Sequence, residues 1–303
     1  MVAGRSGAYV MGGRTASNQP DYILPGRGSA QPSAQQQTAQ WSQAAGEMWY
    51  IDAQNTEANR MNETFPPLFA HACVWHNTGM QAYCTGGFRS DNSTPYHADD
   101  GMWTYGVHGV HYRPLNSPVL RTGNRAARGF HASAIISDMI YVFGGVDCLY
   151  CNNNTLYNAS ETVRHDVSTG LTSFHPVPLG NGPRQLLGSC AVKLRGNQIL
   201  LIGGAEEVDG RPSPLRDQLW LFDPTNETQP YVPVRDATGS GPQPMWGATC
   251  GRAWNSTDVI VHGGCDPSGA DPTDGAVYVL KTERVPFEWT KVDAPAVGGG
   301  AGG

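Results

Sequence analysis

Two cysteines three residues apart, in Cys148-Leu-Tyr-Cys151, have a type and spacing that suggest chemistry. One such pair supplies half of a tetrahedral zinc site, and no second pair completes it. A redox role would place the pair at a helix N-terminus, which this loop does not offer. The expectation is a local disulfide between Cys148 and Cys151. The chain holds seven cysteines, so its internal disulfide set cannot be complete. Cys73, Cys190 and Cys250 each precede a Gly-Gly pair by thirteen residues, which predicts one repeated packing position inside a strand. No glycine-rich phosphate loop, Ser-His-Asp spacing or paired catalytic carboxylates stand out.

Charge excludes some classes of function. With 20 Lys and Arg against 26 Asp and Glu, the net charge is −6, and no basic patch is present to hold nucleic acid. No apolar stretch is long enough to span a membrane, and the first residues lack the apolar core of a signal peptide. Six Asn-x-Ser/Thr sequons begin at Asn62, Asn92, Asn153, Asn158, Asn226 and Asn255. That is more than chance supplies, and five fall in predicted loops or turns, pointing to a glycosylated extracellular domain.

The elements that must position these residues repeat. Apolar runs end in Gly12-Gly13, Gly86-Gly87, Gly144-Gly145, Gly203-Gly204 and Gly263-Gly264, and the last four pairs are spaced close to sixty residues apart. The longer first interval holds a low-complexity insert at about 14–47, around QPSAQQQTAQ, expected to be disordered. Upstream of each later pair lie two short apolar strands joined by a polar turn, such as HASAII-SD-MIYVFGG. Downstream come a third strand (MWYID, MWTYGV, TVRHDV, LWLFD, VYVLK) and a fourth (TSFHPV, QPYVPV, EWTKV). A four-stranded meander cannot bury both faces alone, and radial stacking solves this. The prediction is an all-β propeller over residues 1–293 followed by a flexible Gly-rich tail at 294–303. Five blades are recognisable, the first lacking its inner strand.

These features resemble the kelch repeat family. The resemblance rests on the five apolar-Gly-Gly ends, on Trp49, Trp103, Trp220, Tyr278 and Trp289, and on Arg128-Gly-Phe-His131 leading into a first strand. Pro183-Arg184 reads as a shortened version of that lead-in, while blade five carries Met245-Trp246 instead. Kelch rings usually have six or seven blades, so five predict either a small five-bladed ring or, as the abrupt start favours, a piece of a longer protein.

With strands named A to D outward from the axis, the A–B turns are short and the B–C loops long and dissimilar. Long variable loops on a regular scaffold carry binding sites. The expected binding face therefore holds the B–C and D–A connections, with Arg89, Asp91, Asp147, Glu206, Glu207 and Asp266 from the former. Arg125, Arg128 and Arg184 come from the latter, and Arg128 and Arg184 are expected near the central channel. The reading is a non-enzymatic interaction module without a cofactor, binding protein or glycan outside the cell. Two rivals remain. One is an oxidase resembling the copper-radical galactose oxidases, for which His71, His131, Tyr83, Tyr105 and Tyr150 are available. The other is an intracellular kelch adaptor.

Overall fold

The computed structural model describes residues 2–3, 7–11, 48–52, 58–60, 68–89, 96–98, 101–106, 109–114, 127–149, 157, 161–208, 211–215, 218–253, 256–266 and 276–292. The insert expected at 14–47 and the tail at 294–303 lie outside them. The chain is all-β, and its sheets form a ring resembling a β-propeller: four four-stranded sheets and one five-stranded sheet.

Blade two runs Ala72–His76, Gln81–Thr85, Gly101–Gly106 and Gly109–Pro114. Blade three runs Ala132–Ile136, Met139–Phe143, Val163–Asp166 and Thr172–Phe174. Blade four runs Cys190–Lys193, Ile199–Ile202, Leu219–Phe222 and Tyr231–Pro233. Blade five runs Thr249–Arg252, Val259–His262, Val277–Lys281 and Glu288–Val292, and Thr238–Gly239 adds a parallel outer strand. Blade one has Gly7–Met11, Met48–Asp52 and Ala58–Arg60, and also an inner strand, Val2–Ala3, where the sequence showed none. Two residues are too short to display the period-two pattern that reveals a strand. The inner strands of blades one to five lie side by side in chain order.

Blades two to five hide apolar faces against one another. Val74 and Tyr83 of blade two meet Ile140 and Val142 of blade three. Tyr141 and Phe143 of blade three meet Leu201, Phe222 and Tyr231 of blade four. Leu200 and Ile202 of blade four meet Val259, Val261 and Trp289 of blade five. Full burial of one such side chain contributes about 1.5–3 kcal/mol, so these interfaces hold the ring together.

The Gly-Gly pairs join one blade to the next. Both glycines have positive φ: +58 and +91 at Gly86-Gly87, +61 and +93 at Gly144-Gly145, +66 and +107 at Gly203-Gly204. The second glycine donates its N–H to a carbonyl in the lead-in of the next blade: Gly87 to Arg128, Gly145 to Leu186 and Gly204 to Met245, at 2.7, 2.8 and 2.9 Å. A Cβ on the first glycine would lie 2.0, 1.9 or 2.7 Å from that same carbonyl oxygen. Only a residue without Cβ permits both the φ and the approach.

Candidate functional site

The axis is built differently at its two ends. At the end bearing the B–C segments, Ala70, Phe130, Gly188 and Gly247 occupy one equivalent position in blades two to five. All four have positive φ, +56, +54, +61 and +72. They link into a belt of backbone hydrogen bonds: Phe130 N–H to Ala70 O, Gly188 N–H to Phe130 O and Gly247 N–H to Gly188 O, at 2.9, 2.7 and 2.6 Å. Phe130 of blade three meets Trp246 of blade five edge-on, with centroids 6.4 Å apart, so the axis is narrow here.

This register corrects the placement of the arginines. The residues equivalent to Arg128 are Leu186 and Met245, because all three carbonyls accept from the preceding blade's second glycine. Arg184 therefore lies two residues upstream of that position, exposed at the surface. Arg128, expected to face a partner, is fully buried. Its guanidinium donates to Gly144 O at 3.0 Å and Glu161 O at 2.6 Å, and stacks 3.9 Å above the Tyr157 ring. A guanidinium directed at backbone carbonyls and an aromatic face ties a Gly-Gly end to a B–C segment.

His71 and His131 hold equivalent places, one residue beyond the belt. His131 Nε2 and Thr85 Oγ1 are 2.9 Å apart, and Thr85 Oγ1 lies 3.1 Å from Ser133 Oγ. Burial first, then the charges of Arg128 and His71, push the His131 pKa down to about 3, so the ring is neutral at physiological pH. Among the described residues one His/Cys/Asp/Glu group is compact enough for a metal ion, His71 with Cys73 and Cys84. The two sulfurs are joined at 2.03 Å, which removes them as thiolate ligands. Tyr83 sits on the B strand of blade two, with its hydroxyl 3.2 Å from Gln81 Oε1, and Tyr105 on the C strand. Tyr150 lies outside the described residues.

The B–C segments are more ordered than loops read from sequence. Tyr96–His97 in blade two pairs with Cys148–Leu149 in blade three. Ala205–Val208 and Arg211–Pro214 form a hairpin on blade four. Beneath them Phe69, Phe88, Ala98, Val146 and Leu187 form a small core of their own. On this face Asp147, Glu206 and Asp266 are half-buried. The backbone of Arg89 pairs with Leu68 in a short two-stranded ladder. Arg125 lies outside the described residues.

The cysteines also depart from expectation. Cys73 is bonded to Cys84 across the A and B strands of blade two. Cys190 and Cys250 join the inner strands of blades four and five. The common spacing to Gly-Gly does not mark a common position. Cys190 faces Ile202, the place held by Ala72, Ala132 and Thr249, whereas Cys73 and Cys250 sit one residue later. A–B turns of unequal length produce the coincidence. Cys148 is disulfide-bonded, and its expected partner Cys151 lies outside the described residues. Of the sequons, Asn226 is exposed, its Oδ1 accepting from Gln229 N at 3.0 Å, while the other five asparagines lie outside the described residues.

At the A–B end the axis widens into a cavity of about 620 Å³. Four inner strands line it in matching levels. Cys73, Ser133, Ala191 and Cys250 lie deepest, and Trp75, Ile135, Lys193 and Arg252 come two residues nearer the mouth. His76, Asn77, Thr78 and Ser137 rim it. His76 Nε2 is 2.9 Å from Asp138 Oδ1, across the turns of blades two and three. Sequence reasoning missed this site, because its residues come from short turns and from strand positions that look like packing.

Compared with protein-family models and with curated proteins, the chain matches none.

Proposed function

We propose that this chain is a non-enzymatic kelch-type propeller that binds a protein or glycan partner through the face carrying its B–C segments, outside the cell. The observation that carries the reading is the contrast on that face. Four blades repeat one backbone bonding pattern at the Gly-Gly ends, yet their B–C segments differ in length and form. A rigid frame bearing dissimilar segments is suited to recognition. Exposed Arg184 and half-buried Asp147, Glu206 and Asp266 supply charged groups for polar partners. The disulfides of Cys73–Cys84 and Cys190–Cys250 fit an oxidising compartment, and exposed Asn226 fits glycosylation there.

The test compares the parent with a chain whose blade-four hairpin, 206–213, is replaced by a short Gly-Ser turn, and with Arg184→Ala. Both are screened against a glycan array and immobilised extracellular proteins. Binding that disappears in the hairpin variant supports the proposal, and parent binding indifferent to both changes overturns it. Expression through a secretory host adds a second check. Asn226→Gln should remove one deglycosylation-sensitive mobility shift, and a parent chain without such shifts speaks against the compartment.

A further inference from the structure

The geometry points to a second binding site, in the axial cavity at the A–B end, for a small organic anion. It lies on the face opposite the B–C segments and does not depend on what those segments bind.

The cavity has the size of a small-molecule site, which commonly spans ~300–1,000 Å³. It is too narrow for a folded partner. The belt of backbone bonds and the Phe130–Trp246 contact narrow the axis at the far end, and the described lining reaches the A–B turns at the near one. Low-dielectric walls strengthen the field of whatever charges line them.

Those charges are positive. Lys193 and Arg252 stand at one level on adjacent inner strands, each five residues beyond the belt, and both are exposed. No Asp or Glu is among the described lining residues. The acids of the neighbouring turns are Asp138, in contact with His76, and Asp258, whose backbone N–H bonds Ser256 Oγ. Arg252 Nε donates to Ser256 O at 2.8 Å, which steadies the stem and leaves the terminal amino groups to a ligand. Two cations on neighbouring strands repel each other, and an anion between them relieves that repulsion while gaining charge-assisted hydrogen bonds.

The remaining lining describes the body of the ligand. Trp75 and Ile135 complete the level of the two cations, and below them lie Val74, Ala134, Val192 and the disulfide cysteines. Ser133 adds one polar contact at the floor, already bonded through Thr85 to His131. The site fits a carboxylate or sulfate held by Lys193 and Arg252, with Asn77, Thr78 and Ser137 at the rim for hydroxyl groups.

Titration calorimetry of the whole chain, with glucuronate, inorganic sulfate and neutral glucose as probes, tests this. The expected result is millimolar or tighter binding of glucuronate, at least about tenfold tighter than glucose and weakening with added salt. In Lys193→Ala/Arg252→Ala glucuronate affinity should fall about tenfold or more. Both residues are exposed, so an unchanged Tm will show the variant folded. Sulfate binding equal to glucuronate would support the anion site and restrict recognition to the head group. Glucose binding as well as glucuronate, affinity unchanged in the double variant, or no binding of either anion at millimolar concentration would each overturn the proposal. Arg184→Ala and the hairpin replacement should leave glucuronate binding intact, which separates this site from the B–C face.

Discussion

The two ends of the axis make opposite uses of the same four strands. At the belt end, backbone groups make the contacts between blades, and side chains are held to glycine or to residues forced into positive φ. At the cavity end the level of Trp75, Ile135, Lys193 and Arg252 holds an aromatic, an aliphatic and two cationic side chains, with no type repeated in all four blades. Where main chain meets main chain, side-chain identity is constrained by shape. Where side chains face a void, identity is open to selection for a ligand.

The largest expected effect tests the backbone end. In Gly144→Val the new Cβ would sit 1.9 Å from Leu186 O at a φ of +61, so we expect a loss of about 5 kcal/mol or failure to fold. Gly263→Ala provides the contrast, since no described atom lies within 4 Å of its Cβ position. Only the left-handed strain of about 1–2 kcal/mol should appear in denaturant unfolding.

Acid probes the same end. The His131 pKa is depressed from 6.5 to about 3 in the folded chain, so the unfolded state binds more protons between those values. Stability is then greatest above pH 6.5 and falls as pH drops toward 3, by an amount on the order of 4 kcal/mol. Unfolding across this range in parent and His131→Gln should show the steeper acid slope in the parent, and equal slopes would contradict the burial of a neutral ring. Arg128→Leu copies the residue at the equivalent place in blade four, yet removes the donors to Gly144 O and Glu161 O. We expect a cost of about 3 kcal/mol, read from the denaturation midpoint. The smallest effect belongs to the cavity end, where Lys193→Ala and Arg252→Ala should each shift stability by no more than about 0.5 kcal/mol. A large loss there would mean that the cations serve the fold.

What was legible in the sequence follows the same division. The strands and the Gly-Gly ends were readable, because alternating apolar residues and paired glycines are direct marks of a sheet and of positive φ. Blade register was less readable. Arg184 matches the lead-in arginine by type, whereas the equivalent place belongs to Leu186, whose carbonyl accepts from the preceding glycine. Phe130 and Ala70 gave no sign of left-handed backbone, since neither residue favours it and only the neighbouring strands impose it. The Cys190–Cys250 pairing depends on the separation of two blades around the axis, and spacing along the chain does not encode that. The cavity was hidden for a related reason: its lining comes from four strands far apart in sequence, each contributing three or four unremarkable residues.

The last Gly-Gly pair adds something the three before it hide. Gly263 and Gly264 hold φ values of +70 and +106, close to those of the earlier pairs, although no described atom stands where a neighbour's carbonyl would press against Gly263. The shape is set from within the blade, by the reciprocal bonds between Trp246 and Cys265 at 3.0 and 2.8 Å. The same reciprocal bonding recurs between Gly129 and Val146 and between Leu187 and Ala205, so each of these three blades holds its joint from inside as well as through its neighbour.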